Sequence, residues 1–199
     1  MILWWINLLW AHQLPEDYRT LQAKRFSQEL LRMEKYHQVE EIIEKGNLFL
    51  HQVLRSSEIE YTLGLICNRA DRLDDALSFY MLALETNPKM FEARYDRAEL
   101  YLAQGKWEKA QHDLMYLIQS EVKHPMISLR LAEIAIQKQQ PEEMYTYLQD
   151  AVHNGLSVED LIPLGWGRWS TDPLFASNIQ SVVLLYGGHS IWNQLISSP

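Results

Sequence analysis

The seven histidines and the single cysteine are the residues that could bind a metal ion or act as a base or nucleophile. No two histidines form a His-x3-His pair, and none joins Cys67 in a metal-binding pattern. Cys67 falls on the core side of a predicted helix, so we expect a small buried side chain without a reactive thiol. The sequence therefore predicts no metal site, and a lone cysteine favours a reducing, cytoplasmic location.

Two other sets of residues have the types needed for catalysis but lack the necessary context. Asp172, His189 and Ser190 could form a catalytic triad, but no nucleophile elbow surrounds the serine. The stretch 165–173, GWGRWSTDP, has the glycines of a phosphate-binding loop. It has no Lys-Ser/Thr pair after it and no strand before it, so we do not expect it to bind phosphate.

The charged residues also argue against an enzyme and against a protein that binds nucleic acid. Acidic residues outnumber basic ones by 26 to 18, and the formal charge is −8. Binding to phosphate backbones depends on clustered Lys and Arg, so we expect no nucleic-acid partner. Paired carboxylates such as Glu142-Glu143 open predicted helices, where they interact favourably with the helix dipole. We therefore expect a protein that is not an enzyme, with no catalytic residue and no cofactor.

The elements that hold these residues repeat along the chain. Blocks of 34 residues follow one another in phase, with Gly64 over Ala98 and Ala76 over Ala110. Such a fixed period is typical of stacked helix pairs, and the small residues mark positions where two helices must approach closely. The three blocks are 57–90, 91–124 and 125–158.

The first block resembles a tetratricopeptide repeat. The family pattern is W-x2-L-G-x2-Y, then A-x3-F, then P. This sequence departs from it at Glu60 and Cys67. The resemblance covers 57–158 and extends to bacterial members of the family. It implies an all-α fold, an α-solenoid of tetratricopeptide-type helix pairs with helical N- and C-terminal caps. The matching residues are Leu63, Gly64, Ala76, Tyr80, Ala83 and Pro88.

The chain on either side of these repeats also predicts helices. Residues 15–56 form either a degenerate repeat, with Gly46 in the place of Ala83, or a plain helical hairpin. Residues 159–199 form a C-terminal helical cap, because a solenoid needs an atypical element to close its apolar end. The apolar face of the last long helix is predicted to comprise Phe175, Ile179, Val182, Val183 and Tyr186.

The N-terminal segment 1–14 is apolar and uncharged, and three interpretations of it stay open. It could be a helix that covers the open end of the solenoid or docks onto a partner. It could anchor the chain to a membrane surface through residues 1–11, with Trp4, Trp5 and Trp10 at the headgroups. It could also be a cleaved or truncated export segment, although it is too short to span a bilayer and lacks a basic start.

The resemblance implies that the first helix of each repeat lines a concave groove that binds a peptide or helix of another protein. Glu92, Glu99 and Glu133 would then steer a basic or amphipathic segment towards the groove. Carried over from the family, the expected partner-binding residues are Tyr61, Leu65, Asn68, Arg69, Glu92, Tyr95, Glu99, Leu102, Met126, Leu129 and Glu133.

One subtype of the family is disfavoured. Members that bind the acidic C-terminal tails of Hsp70 and Hsp90 use a clamp of Lys, Asn and Arg. The corresponding positions here are Tyr61, Leu65, Asp96 and Met126, with only Arg130 basic. We therefore expect a scaffold or adaptor for protein–protein interaction that is not a chaperone clamp. The alternative is an assembly subunit of a larger, possibly membrane-associated complex, held through its Trp-rich terminal segments.

Overall fold

The computed structural model describes residues 16–35, 38–52 and 55–197, without the side chains of 16–18 and Gln52. These residues form helices and no strand, in two compact units, Met1–Gln104 and Gly105–Pro199. The first unit contains α1 (Glu16–Met33), α2 (Val39–Gln52), α3 (Ser57–Arg69), α4 (Leu73–Thr86) and α5 (Phe91–Ala103). The second contains α6 (Trp107–Gln119), α7 (Pro125–Gln137), α8 (Pro141–His153), a 3-10 helix (Val158–Leu161), α9 (Gly167–Ser170), α10 (Ala176–Tyr186) and α11 (Gly188–Ser197).

The helices follow the predicted period. The first helices of the three blocks, α3, α5 and α7, start at positions 57, 91 and 125, and the second helices, α4, α6 and α8, start at 73, 107 and 141. Each start therefore recurs after 34 residues. The all-α fold built of tetratricopeptide-type helix pairs is confirmed, while the segment 1–14, predicted as an N-terminal cap or contact, lies outside the described residues.

The turn inside each helix pair has one conformation in all three blocks. Asp71, Gly105 and Gln139 have φ angles of 59°, 68° and 57°, in the left-handed region. After Asp71 the amide of Arg72 donates to the carbonyl of Cys67 at 2.8 Å, the six-residue bond of a Schellman motif. This bond ends α3 and lets the chain reverse within a few residues.

The core of the first unit places α3 against α4. Gly64 lies in the middle of α3, and a Cβ atom added there would lie 2.5 Å from ring carbons of the buried Tyr80. The close helix approach predicted at Gly64 is therefore confirmed. Cys67 is completely buried beside it, and burial raises the pKa of its thiol to about 11, so the thiolate form is suppressed.

Two departures from the repeat pattern have structural explanations. Glu60, in place of the family tryptophan, is 2% exposed and accepts a hydrogen bond from Arg55 Nε at 3.2 Å. That ion pair offsets part of the cost of burying a carboxylate. In α2, a Cβ atom added to Gly46 would lie 2.7 Å from Leu63 Cδ2, so a larger residue here would require the Leu63 side chain to move.

In the second unit, an apolar cluster joins α7 and α8 to the C-terminal helices. Tyr186 is half exposed, so its predicted place on the buried face of α10 is wrong. Helix α10 ends there, and the backbone of Gly187 lies so close to the side chain of Val158 that an added Cβ atom would collide with it. The buried members from the C-terminal segment are Leu161, Trp166, Phe175, Ile179, Val182, Val183 and Leu195. Over the described ranges, no helix is both long and apolar enough to cross a membrane.

Candidate partner-binding site

A hydrogen bond joins the first helices of two consecutive blocks in the N-terminal unit. The hydroxyl of Tyr61, on α3, donates to Asp96 Oδ2, on α5, at 2.9 Å. The ring of Tyr61 packs against Tyr80, with ring centroids 5.8 Å apart, so its position is set by the core. We call the exposed surface of α3 and α5 around this bond the α3/α5 face.

The α3/α5 face is acidic at its centre. Partial burial raises the pKa of Asp96 above its ordinary value, and the nearby Glu99 and Glu92 raise it further. The hydrogen bond from Tyr61 and the charge of Arg69 oppose this shift. Burial and the Asp96 charge also raise the pKa of Tyr61, so its phenol keeps the proton that it donates.

The structure brings together most of the predicted residues on α3 and α5. Leu65 and Asn68 are half buried on α3, and Glu92 is exposed at the start of α5. Arg69 is more than half exposed and donates to Glu34 at 2.8 Å, so an internal carboxylate already engages its guanidinium. Tyr95, Glu99 and Leu102 are half buried on the same helix as Glu92. These residues offer apolar and aromatic area around an acidic centre.

The predicted residues of the second unit behave differently. Leu129 is completely buried in the core, so its expected contact with a partner is withdrawn. The reason is that α7 is buried over most of its circumference. Eight of its residues between Ile127 and Ile136 are buried. Met126 is half buried against the same core. Glu133 pairs with Arg130 at 2.9 Å within α7, which offsets its charge.

Asp96 is the residue that sequence reasoning left out of the expected site. Its carboxylate is followed by that of Glu99 three positions later and preceded by that of Glu92 four positions earlier. Residues at this spacing share one face of a helix. The acidic row of α5 could therefore have been extended to Asp96, although its bond to Tyr61 becomes visible only in the fold.

The tryptophans divide into two groups. Trp4, Trp5 and Trp10, the expected membrane or partner contacts, lie outside the described residues. In the C-terminal segment Trp166 is buried, and Trp169 packs edge-on against Phe175 with centroids 6.2 Å apart. These two side chains serve mainly the core of the second unit.

The α3/α5 face carries groups that could bind a partner, and its side chains form no catalytic arrangement. Carboxylates and a phenol around apolar area suit a segment that carries cationic and apolar side chains. In the part of the chain that the structure describes, no three His, Cys, Asp or Glu side chains are grouped to hold a metal ion.

Comparisons with known proteins agree with the helix pairs. Residues 69–112 match the family model of the tetratricopeptide repeat. No curated protein matches this sequence significantly. The chain is similar to MamA from Desulfovibrio magneticus RS-1, with a TM-score of 0.66 and 14% identity, over 88% of this chain and 93% of that one.

Two further solved structures share the fold. PilF from Pseudomonas aeruginosa has a TM-score of 0.62 and 13% identity, over 88% of this chain and 81% of that one. YrrB, described as a tetratricopeptide-repeat protein with an unusual peptide-binding site, has a TM-score of 0.52 and 15% identity, over 76% and 89%. The family match at residues 69–112 and the shared fold show that the chain contains helix pairs of the tetratricopeptide-repeat type.

Proposed function

We propose that this protein is a scaffold or adaptor that binds a peptide or helix of a partner protein on its α3/α5 face. Proteins with this fold are generally non-enzymatic modules for protein–protein interaction, and one similar structure is described as having a peptide-binding site. The observation that carries the proposal is the hydrogen bond of 2.9 Å between Tyr61 and Asp96. It holds an aromatic ring and a carboxylate in fixed positions on a partly exposed face.

The charge of the face favours a basic or amphipathic partner segment. Asp96 is surrounded by Glu92 and Glu99, and the nearby cation, Arg69, already pairs with Glu34. A lysine or arginine of the partner would reduce the repulsion among the three carboxylates. Leu65 and Tyr61 would contact the apolar side chains of the same segment, since aromatic and apolar anchors supply most binding energy at interfaces.

Charge reversal on the face tests the proposal. In a selection from a random peptide display library, we expect the wild-type protein to enrich peptides that combine Lys or Arg with apolar residues. A variant with Glu92→Lys and Glu99→Lys should lose these peptides, because its two new cations repel them. The matched control is Glu44→Lys with Asp150→Lys, which changes the net charge equally at exposed positions elsewhere.

The outcomes separate this function from the alternative of an assembly subunit. If the reversed variant and the control enrich the same basic peptides as the wild type, the α3/α5 face is not the binding site. Affinity capture from the native cell, with mass spectrometry, then identifies the protein partner. An assembly subunit held through its ends would keep its partners in the Glu92→Lys, Glu99→Lys variant. We place this scaffold in the cytoplasm, whose reducing conditions suit the single buried Cys67.

A further inference from the structure

Helix α1 exposes a face that is basic, in contrast to the acidic character of the whole chain. The opposite side of the helix is buried in the core through Ala23, Phe26 and Leu30. The exposed residues recur at the helical spacing of three and four, so they lie along one stripe. We call this stripe the basic face of α1. It comprises Leu21, Lys24, Arg25, Gln28, Leu31, Arg32 and, in the turn after the helix, Lys35, with the exposed Glu29, which pairs with Lys45, at its edge.

Three cations of the basic face differ from other cations of the same unit. Lys45, Arg69 and Arg72 each pair with a carboxylate at 2.7–2.9 Å. Among the residues that the structure describes, Lys24, Arg25 and Arg32 take part in no such ion pair. A cluster of cations that the fold does not neutralise is available for an anionic surface outside the protein.

Two leucines lie among these cations. Leu21 is 44% exposed and Leu31 is 36% exposed, and folding leaves both in contact with solvent. Helices that lie on membrane surfaces combine apolar side chains with Lys and Arg, whose long side chains reach the lipid headgroups. The preceding residues 1–14 contain no charged residue and three tryptophans, a residue type enriched at membrane interfaces.

We propose that the basic face of α1 docks onto an anionic lipid surface. The charge of the face is complementary to anionic headgroups. Leu21 and Leu31 supply apolar contacts that a purely electrostatic partner would not need. The formal charge of −8 makes this docking orientation-specific, because the acidic remainder of the protein is repelled by the same surface. This site is independent of the α3/α5 face.

Vesicle sedimentation with the full chain tests the proposal. The probes are vesicles of phosphatidylcholine alone and of phosphatidylcholine mixed with phosphatidylglycerol. We expect binding to the mixed vesicles that weakens with added salt. The variant with Lys24→Glu, Arg25→Glu and Arg32→Glu should bind at least about a hundredfold more weakly, since each basic residue near an anionic surface contributes about fivefold.

The matched control reverses three exposed lysines elsewhere, with Lys89→Glu, Lys106→Glu and Lys123→Glu. It should bind more tightly than the α1 variant, although its net charge is the same. Equal losses in the two variants, equal binding to both kinds of vesicle, or no binding by the wild type would each overturn the proposal. Both variants should melt as the wild type does. If the α1 variant unfolds, the milder variant with Lys24→Gln and Arg32→Gln, which should still weaken binding, decides the question.

Two further measurements separate this site from other possibilities. The Glu92→Lys, Glu99→Lys variant should keep its vesicle binding, and the α1 variant should keep its selected peptides. If either variant loses both properties, the two sites are not independent. If the wild type ignores vesicles but self-associates in light scattering, and the α1 reversal abolishes this, the basic face binds a second copy of the chain and the lipid proposal fails.

Discussion

A Cβ atom on Gly64 would lie 2.5 Å from two ring carbons of Tyr80, a completely buried residue of the next helix. We predict that Gly64→Ala destabilises the protein. Overpacking of a full core costs about 1–3 kcal/mol, and the better helix propensity of alanine returns about 1 kcal/mol. The net loss should be up to about 2 kcal/mol in the free energy of unfolding, measured by urea denaturation.

A double-mutant cycle shows whether the ring is the cause. Gly64→Ala should cost less in a Tyr80→Leu background, because leucine lacks the ring atoms that the new methyl group meets. If Gly64→Ala costs the same in both backgrounds, another contact determines the need for glycine at this position.

The alanines of the second helices give the second prediction. Ala76 and Ala110 are completely buried, one in each unit. Ala76→Leu and Ala110→Leu should each lower the free energy of unfolding by about 1–3 kcal/mol, because a larger side chain cannot be accommodated without shifting the neighbouring helix. Ala103→Leu, at an exposed position of α5, is the control and should change stability by about 0.5 kcal/mol or less. Melting curves that do not distinguish the three variants would contradict the helix contacts.

The sequence predicts these positions because the repeat constrains its small residues. Where two backbones approach, only Gly or Ala fits, and the same requirement returns every 34 residues with helix starts at 57, 91 and 125. The turns recur with the same period, and Asp71, Gly105 and Gln139 share a left-handed φ.

The binding face is less predictable, for two physical reasons. Helix α7 is apolar over most of its circumference, so its periodicity does not show that Leu129 is in the core. The role of Asp96 depends on Tyr61, which lies 35 residues away in sequence, and only the fold brings the two side chains together. The family pattern specifies packing, whereas the groups that contact a partner are free to vary between members.

The third prediction concerns the C-terminal cap. Ile179 is completely buried in the core of the second unit, while Leu185 on the same helix is 67% exposed. Ile179→Ala should lower the free energy of unfolding by about 2–5 kcal/mol, and Leu185→Ala by about 0.5 kcal/mol or less. Chemical denaturation of the two variants checks this difference.

Removal of the whole cap should have a larger effect. Deletion of 172–199 uncovers the side chains of Met144 and Leu148 on α8, which pack in the same cluster as Phe175 and Val182. We expect this truncated chain to aggregate, because a solenoid without its cap exposes a contiguous apolar surface. A truncated chain that stays monomeric in light scattering and unfolds cooperatively would show that the cap is dispensable.

The last prediction follows from the raised pKa of Asp96. Its ordinary value is 3.8, and partial burial and the neighbouring Glu99 raise it in the folded state. Between the ordinary and the raised pKa the folded state binds more protons than the unfolded state, so stability falls as pH rises through this window. At neutral pH, ionised Asp96 therefore destabilises the fold relative to its protonated form.

Asp96→Asn should raise the free energy of unfolding at neutral pH, because the amide oxygen can still accept the hydrogen bond from Tyr61 without a charge. The gain should shrink as the pH falls towards 3.8 and vanish below it, where Asp96 is protonated in both states. Urea denaturation across this pH range measures the difference, with the exposed Asp150→Asn as control. A variant that is less stable than the wild type at neutral pH would contradict the burial cost. If the stabilised variant also loses the basic peptides selected by the wild type, the α3/α5 face retains a destabilising carboxylate because binding requires it.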